Sequence, residues 1–509
     1  MNLFANDLPM VAVDKRNTSP TVEVGKDLLN RLLATRRVRW EQKELDRLKA
    51  ENKKISSDQW KSKYRPPTVL QERPSATLPE SWVWVSAETA CESVRDGTHD
   101  TPKYVNEGIP LVTSKDLTGG RIDFAKTNEI SEVDHLEISK RSYVENGDVL
   151  FAMIGTVGNP LVVNADRTFS IKNVGLFKKN HLFLESRYLK YWLESPSLIK
   201  WLTPRLKGSN QKFAPSLPVP LAPLSDQKRI VAEIEKQFTR LEAGVAGLRR
   251  VQANLKRYRA AVLKTACEGK LVPTEADLAR REGRTYETGA QLLDRILIER
   301  RQKWNGKGKY KEPAKPDLTK PSLPDGWVCA SVEQITDNFD GRRVPLKSTE
   351  RDKRSGPYPY YGASGIIDDI DDYLFNGEYL LIAEDGANLL SRSTPIAFKA
   401  SGKFWVNNHA HIVQTAGGIP LAFLGIFLNG QDLKFFITGS AQPKLTQAAL
   451  NRIFVPLPPY SEQLRIVAEV ERRLSVVEEL EVVVNTSLQR ATGLRQSILQ
   501  RAFEGTLIP

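Results

Sequence analysis

Two histidines spaced two residues apart, His409 and His411 in the run NNHAHI, are the first place in this sequence to look for chemistry, because strand alternation puts both imidazoles on one face. That spacing suits a metal. With five histidines in the chain and no cysteine or third histidine nearby, the pair instead reads as a polar strand end that contacts a base or a phosphate. The acidic run Asp368, Asp369, Asp371 and Asp372 lacks the flanking residues of a Mg²⁺ nuclease and reads as a solvated turn. No metal ligand is assigned.

Catalysis finds no better footing. An adenine methyltransferase needs an Asn/Asp-Pro-Pro-aromatic loop whose side-chain oxygen accepts from the exocyclic amine. The nearest string is LPPY at 457–460, where Leu457 cannot accept, and a second copy at 221–224 reads LAPL. These read as turns that lead into helices. There is no G-x-x-x-x-G-K-[ST] loop and no G-x-G-x-x-G after a strand, so neither ATP nor a dinucleotide has a recognisable cradle. No catalytic residue is assigned.

Recognition chemistry is easier to find. The strings DGTHDTPKY (96–104) and LVTSKDL (111–117) offer Thr98, His99, Thr113, Ser114 and Lys115 on turns, where short polar side chains can address base edges or phosphates. GSNQK (208–212) supplies Ser209, Asn210, Gln211 and Lys212, and GSAQPK (439–444) supplies Ser440, Gln442 and Lys444. An amide such as Gln211 or Gln442 can address adenine through two hydrogen bonds. Arg342, Arg343, Lys347, Arg351, Lys353 and Arg354 form a basic stretch suited to phosphates, followed by the YYGASG turn with Ser364.

The elements that must carry these loops are written twice. RIVAEIE at 229–235 matches RIVAEVE at 465–471, and the same offset aligns VPLAPLSDQ from 219 with VPLPPYSEQ from 455 and ACEGKLVP from 266 with AFEGTLIP from 502. Further upstream, TVEVGKDLLNRLLATRRVRW (21–40) matches TYETGAQLLDRILIERRQKW (285–304), and LPESW (78–82) matches LPDGW (323–327). The order is arm, globule, long helix, repeated. This sets boundaries at 1–77 (helical arm and linker), 78–222 (first globule), 223–282 (central long helix), 283–322 (second arm and Lys/Pro-rich linker), 323–458 (second globule) and 459–509 (C-terminal long helix).

The long helices are expected to be capped by Ser225 and Ser461 and to stop at Gly269 and Gly505. Ile234, Phe238, Leu241, Val245, Leu248, Val251, Leu255, Tyr258 and Val262 recur at heptad spacing. So do Val470, Leu474, Val477, Leu480, Val484, Leu488, Ala491, Leu494 and Ile498. A narrow seam of this kind wants a partner helix, and the two copies are expected to pair antiparallel. The globules, with strand-like runs such as GDVLFAMIG (147–155) and GEYLLIAEDG (377–386), read as mixed sheets with helices and loops. The expected class is α+β: two mixed globules separated by an antiparallel coiled coil of two long helices, with a pseudo-twofold internal repeat.

A chain of 509 residues exceeds one hydrophobic core, and 74 Lys+Arg against 61 Asp+Glu, a net +13, suits a polyanionic partner. Cys91, Cys267 and Cys329 are scattered without ligand spacing and read as reduced thiols. The most apolar run, 419–428, is too short to span a bilayer, and a cytoplasmic protein without a membrane partner is expected.

As a set, the duplicated LPxxW opening, the PLPPxxEQxRIVAEIE-like helix start, the EGxLxP helix exit and the two-globule, two-helix order resemble the specificity (S, HsdS) subunit of type I restriction-modification systems. The likeness covers nearly the whole chain; the first copy departs from it with LAPLSDQ. It implies two target recognition domains, each reading half of a bipartite site on double-stranded DNA. It also implies helices that fix the half-site spacing and dock two adenine methyltransferase (M) subunits, with motor-nuclease (R) subunits joining them. Methylation and restriction, a host-defence activity, would belong to those partners, as would S-adenosylmethionine, ATP and Mg²⁺; this chain would bind no cofactor. The rival reading is a coiled-coil assembly scaffold that never touches DNA. A fused enzyme is disfavoured by the missing motifs.

Overall fold

The computed structural model describes residues 24–53, 57–152, 158–206, 214–306, 308–317, 322–439 and 441–508. The chain divides into two units, Met1–Ala246 with Leu488–Pro509, and Gly247–Ser487. Each contains one globule and a part of both long helices.

The units share a frame that their sequences hide. In the first, strand Val83–Ser86 pairs antiparallel with Pro218–Leu221; in the second, Val328–Ser331 pairs antiparallel with Phe454–Leu457, so that Val83 faces Leu221 as Val328 faces Leu457. Next comes an antiparallel sheet ordered Val94–Asp96, Val174–Phe177, Val149–Ala152, Gly158–Val162. The second unit repeats that order with Thr336–Asn338, Ala410–Thr415, Phe375–Ala383 and Ala397–Val406, and extends it with Ser355–Gly362 and Gly365–Ile370. Each unit also holds one parallel pairing, Ile109–Thr113 with Ser170–Lys172 and Ser355–Gly362 with Ala397–Val406. Buried strands need only apolar filling of about the right volume, which is why equivalent strands align so poorly by residue.

The long helices, Leu224–Cys267 and Tyr460–Phe503, have 44 residues each. Both start one residue before the serines expected to cap them. The carbonyls of Pro223 and Pro459 accept from the amides of Asp226 and Gln227 and of Glu462 and Gln463. The proline carbonyls thus take up amides of the first turn, and the two serines lie inside the helices and not at their caps. The glutamines explain the repeated S-D/E-Q: each is fully buried and donates its amide to the carbonyl five residues back, Ala222 (2.8 Å) and Pro458 (2.9 Å).

Within each unit the two helices run antiparallel. In the first, Arg495 lies 3.9 Å over the Phe238 ring; in the second, Arg259 pairs with Glu481 at 3.0 Å and Gln252 with Asn485 at 3.1 Å. The seam is less continuous than the heptads suggest. Ile234, Phe238, Leu255, Val262, Val470, Val477, Val484 and Ile498 are buried, but Val251 (42%), Tyr258 (45%), Leu480 (44%) and Leu494 (52%) are exposed. Helix ends enter globule cores, whereas a single facing helix covers only a narrow stripe of the stretches between.

Each helix exit rests on an LPxxW motif. Gly269 (φ +67°) packs so closely that a Cβ there would lie 2.6 Å from Pro324, and one at Gly505 (φ +71°) would lie 2.3 Å from Pro79. The core of the first unit therefore joins Leu28 and Leu32 of the arm (Gly25–Ala50), Trp82, Tyr188 and Trp192 to Phe503 near the C-terminal end. The presumed linkers are tied down too: Ser86 donates to the Thr68 carbonyl and Ser331 to that of Ala314. Cys91 is buried, and burial pushes its thiol up.

Candidate nucleic-acid interface

In the first unit the recognition loops gather around two residues that the sequence reading passed over, Lys172 and Asn173. Lys172 ends the strand that runs parallel to Ile109–Thr113, opposite Thr113, and it also bridges Thr98. Its ammonium meets the Thr101 hydroxyl. Asn173 takes a left-handed turn (φ +55°), donates its amide to the Thr98 carbonyl at 3.2 Å and lies 3.1 Å from His99 Nδ1. Thr113 is held by Asp116, whose carboxylate accepts from both its amide and its hydroxyl; Ser114 and an exposed Lys115 follow. Thr98, His99 and Thr113 thus share one strand-end cluster. A polar Lys-Asn pair between two apolar strands was the signal that could have found its centre. Ser209, Asn210, Gln211 and Lys212 lie outside the described residues, as does Ser440.

In the second unit Lys444 bridges Asp385 and Thr438, with its ammonium 3.3 Å from Glu384. His409 sits 2.7 Å from the Asp385 carboxylate and is 47% exposed, in the turn after strand Ala397–Val406. Asn407 of that turn accepts from the His409 amide and donates its own amide to Tyr361, at the root of the hairpin turn that carries Ser364. Exposed Gln442 precedes Lys444. Ser364, His409, Gln442 and Lys444 therefore lie along one rim at the loop end of the sheet.

Two residues expected to face DNA do not. His411 is 1% exposed, because its strand Ala410–Thr415 is buried on both faces as far as Val413; its Nδ1 lies 2.6 Å from Asp340 and its Nε2 2.8 Å from the Leu445 carbonyl. Arg343 is spent on Glu384 (2.8 Å), Asp340 (3.4 Å) and the Ala410 carbonyl (2.7 Å). Asp340, Glu384 and His411 bring three ligand atoms within 4.8 Å of one another, a grouping that could hold a cation. The Arg343 guanidinium already supplies the positive charge, and both His411 nitrogens are engaged, so the group works as an ion-pair network that fixes the rim from beneath. Arg342 remains exposed beside the Phe375 ring, and Lys347 is exposed at the start of Ser348–Arg351. The acidic run is no free turn: Asp368 pairs with Arg351 at 2.9 Å and Asp371 with Arg354 at 2.8 Å, neutralising part of the basic stretch.

The network sets a pH dependence. Burial alone would raise the Asp340 carboxyl, but the His411 hydrogen bond and charge, the Ile412 amide and Arg343 together hold it below its ordinary value. Its stabilising contribution is complete above the unfolded value of about 3.9 and is lost as pH falls below about 4 toward the lowered folded value. Denaturant titrations of wild type and Asp340→Asn should show this as an acid-side slope in the second unit that the variant lacks; equal slopes would remove Asp340 from the account.

Among the described residues no helix is long and apolar enough to cross a membrane.

Comparison with known proteins adds four findings. Residues 324–478 match the family described as "Type I restriction modification DNA specificity domain". A putative type I restriction enzyme specificity subunit of Haemophilus influenzae, S.HindORF215P, is 36% identical over 148 residues, 29% of this chain and 37% of that protein. The StySPI specificity subunit of Salmonella potsdam is 23% identical over 453 residues, covering 84% of this chain and 90% of its own length. Among solved structures, a chain from work on complex assembly and conformational transition of the type I R-M system superposes with a TM-score of 0.56 at 20% identity, over 85% of this chain and all of that one, a likeness of fold.

Proposed function

Because this chain belongs to the family of type I restriction-modification specificity subunits, we propose that it reads a bipartite DNA target, one half with each unit, and directs adenine methylation and restriction by its partners. The observation that carries this is the repeated sheet order with unlike loops at its ends. One frame presented twice can approach two stretches of duplex in the same way, while different loops read different bases.

In the first unit Thr98, His99, Lys172 and Asn173 form the reading cluster, with Lys115 beside it on a phosphate. In the second, Ser364, His409, Gln442 and Lys444 read, and Arg342 and Lys347 take phosphates. Each well-made base contact contributes about 1–3 kcal/mol of discrimination. Two methyltransferase subunits and the motor-nuclease subunits would bring S-adenosylmethionine, ATP and Mg²⁺, the chemistry for which this chain has no recognisable motif.

Exchanging residues 78–221 for the equivalent segment of a relative, with both long helices kept, should change one half of the methylated motif and leave the other half and the spacing intact. Methylome sequencing reads this directly. A change in both halves, or in neither, would contradict the assignment of one half-site to each unit.

A further inference from the structure

The basic, proline-rich stretches after the two arm helices have no part in the reading loops, yet they are built alike. KSKYRPP at 61–67 and KGKYKEP at 307–313 share one pattern. In the first unit the chain folds back so that Tyr64 meets Trp40 of the arm edge-on at 5.4 Å, Trp40 stacks on Trp60 at 6.1 Å, and Arg37 lies 5.9 Å over the Tyr64 ring. In the second unit Tyr310 meets Trp304 at 5.8 Å under Arg301. The preceding arginines grip the globule in both, Arg36 on the Cys91 carbonyl and Arg300 on that of Thr336.

Among the described residues, the first copy is the one left strongly cationic. Its fold encloses a recess of about 320 Å³ walled by Arg36, Arg39, Lys43, Arg65 and Arg95, with Trp40 and Tyr64 as an aromatic side. The carboxylate among the lining residues, Glu92, is held by Lys43 at 2.8 Å and Arg39 at 3.5 Å. Asn180 also lines the recess, is 7% exposed and donates its amide to the Ala90 carbonyl, while its Oδ1 has no partner. A buried acceptor left so is costly, and a ligand N–H that reached it would recover that cost. In the second copy Glu312 stands where the first has Pro66 and pairs with Arg301, and Asp337 pairs with Arg300.

We propose that the recess of the first unit is a nucleotide site, with the phosphate met by the Arg and Lys side chains and a base N–H donated to Asn180 Oδ1. Charge, aromatic wall and orphaned acceptor together fit a phosphorylated nucleotide better than an acidic peptide, which would leave the ring faces and Asn180 unused. The nucleotide can be a unit of a nucleic-acid strand or a free molecule. The site stands apart from the half-site reading and does not depend on it.

Calorimetry and tryptophan fluorescence on the full chain test this with three probes: the 5′-phosphorylated dinucleotide pApA, ATP, and polyglutamate. The paired change Lys43→Ala with Arg65→Ala should weaken nucleotide binding about tenfold, the loss expected for charge-assisted contacts. Arg65→Gln alone should give a smaller loss, and Lys311→Ala in the second copy should give none. Binding of pApA without ATP would assign the site to nucleic acid, and equal binding of both would assign it to free nucleotide; each supports the proposal. No nucleotide binding, binding of polyglutamate alone, or a double variant that binds nucleotide like wild type would overturn it.

Discussion

Phe503→Ala is expected to destabilise the first unit by about 3–5 kcal/mol, the cost of deleting a fully buried aromatic ring, and to abolish reading of one half-site. Phe503 is 1% exposed and meets Tyr188 at 5.1 Å and Trp192 at 5.2 Å. Those rings cannot fall into the void, because Tyr188 donates its hydroxyl to the Pro220 carbonyl at 2.7 Å and Trp192 its indole N–H to that of Pro218 at 2.6 Å. A site that cannot collapse keeps its cavity and incurs the upper part of that range. The residue lies more than 300 positions from those it supports, so the first globule cannot complete its core until the C-terminal helix is made. Calorimetry should show the transition of the first unit lowered and that of the second little changed. A variant within about 0.5 kcal/mol of wild type, the usual range of neutral surface changes, would contradict this view of the core.

His411→Leu is the second large effect. It keeps the volume and removes both polar contacts, leaving Asp340 with Arg343 at 3.4 Å and the Leu445 carbonyl without its donor. Leaving a buried acceptor without its donor costs about 1–3 kcal/mol, more where the acceptor is charged, and two acceptors lose theirs here. Leu445 follows Lys444 directly, so the rim should lose its form along with the stability. Denaturant unfolding and DNA binding read the two losses separately. Full stability with normal binding would show that the network is incidental to the rim.

The repeats made the frame legible from sequence, because residues that touch across it are chemically specific. The prolines and glycines of the helix ends, the LPxxW tryptophans and the buried glutamines each perform one task that few side chains can. The proposed reading cluster was only half legible. Thr98, His99 and Thr113 were visible as polar loop residues, but Lys172 and Asn173 join them through a parallel strand pairing that leaves no local trace. His411 and Arg343 misled for the reverse reason: their types suit DNA, and only the partners brought to them by distant strands reveal that they are engaged within the protein. Likewise, the heptads could locate a seam but not tell which stretches of it a globule would cover.

If this chain assigns a bipartite sequence to partner methyltransferases, its loss will show in the methylome. The most direct test maps adenine methylation across the genome of the native strain and of a strain lacking this gene. Methylation should disappear at one split motif and nowhere else, revealing both half-sites and their spacing; an unchanged map, in a native strain shown to express the complex, would overturn this assignment and favour an assembly scaffold.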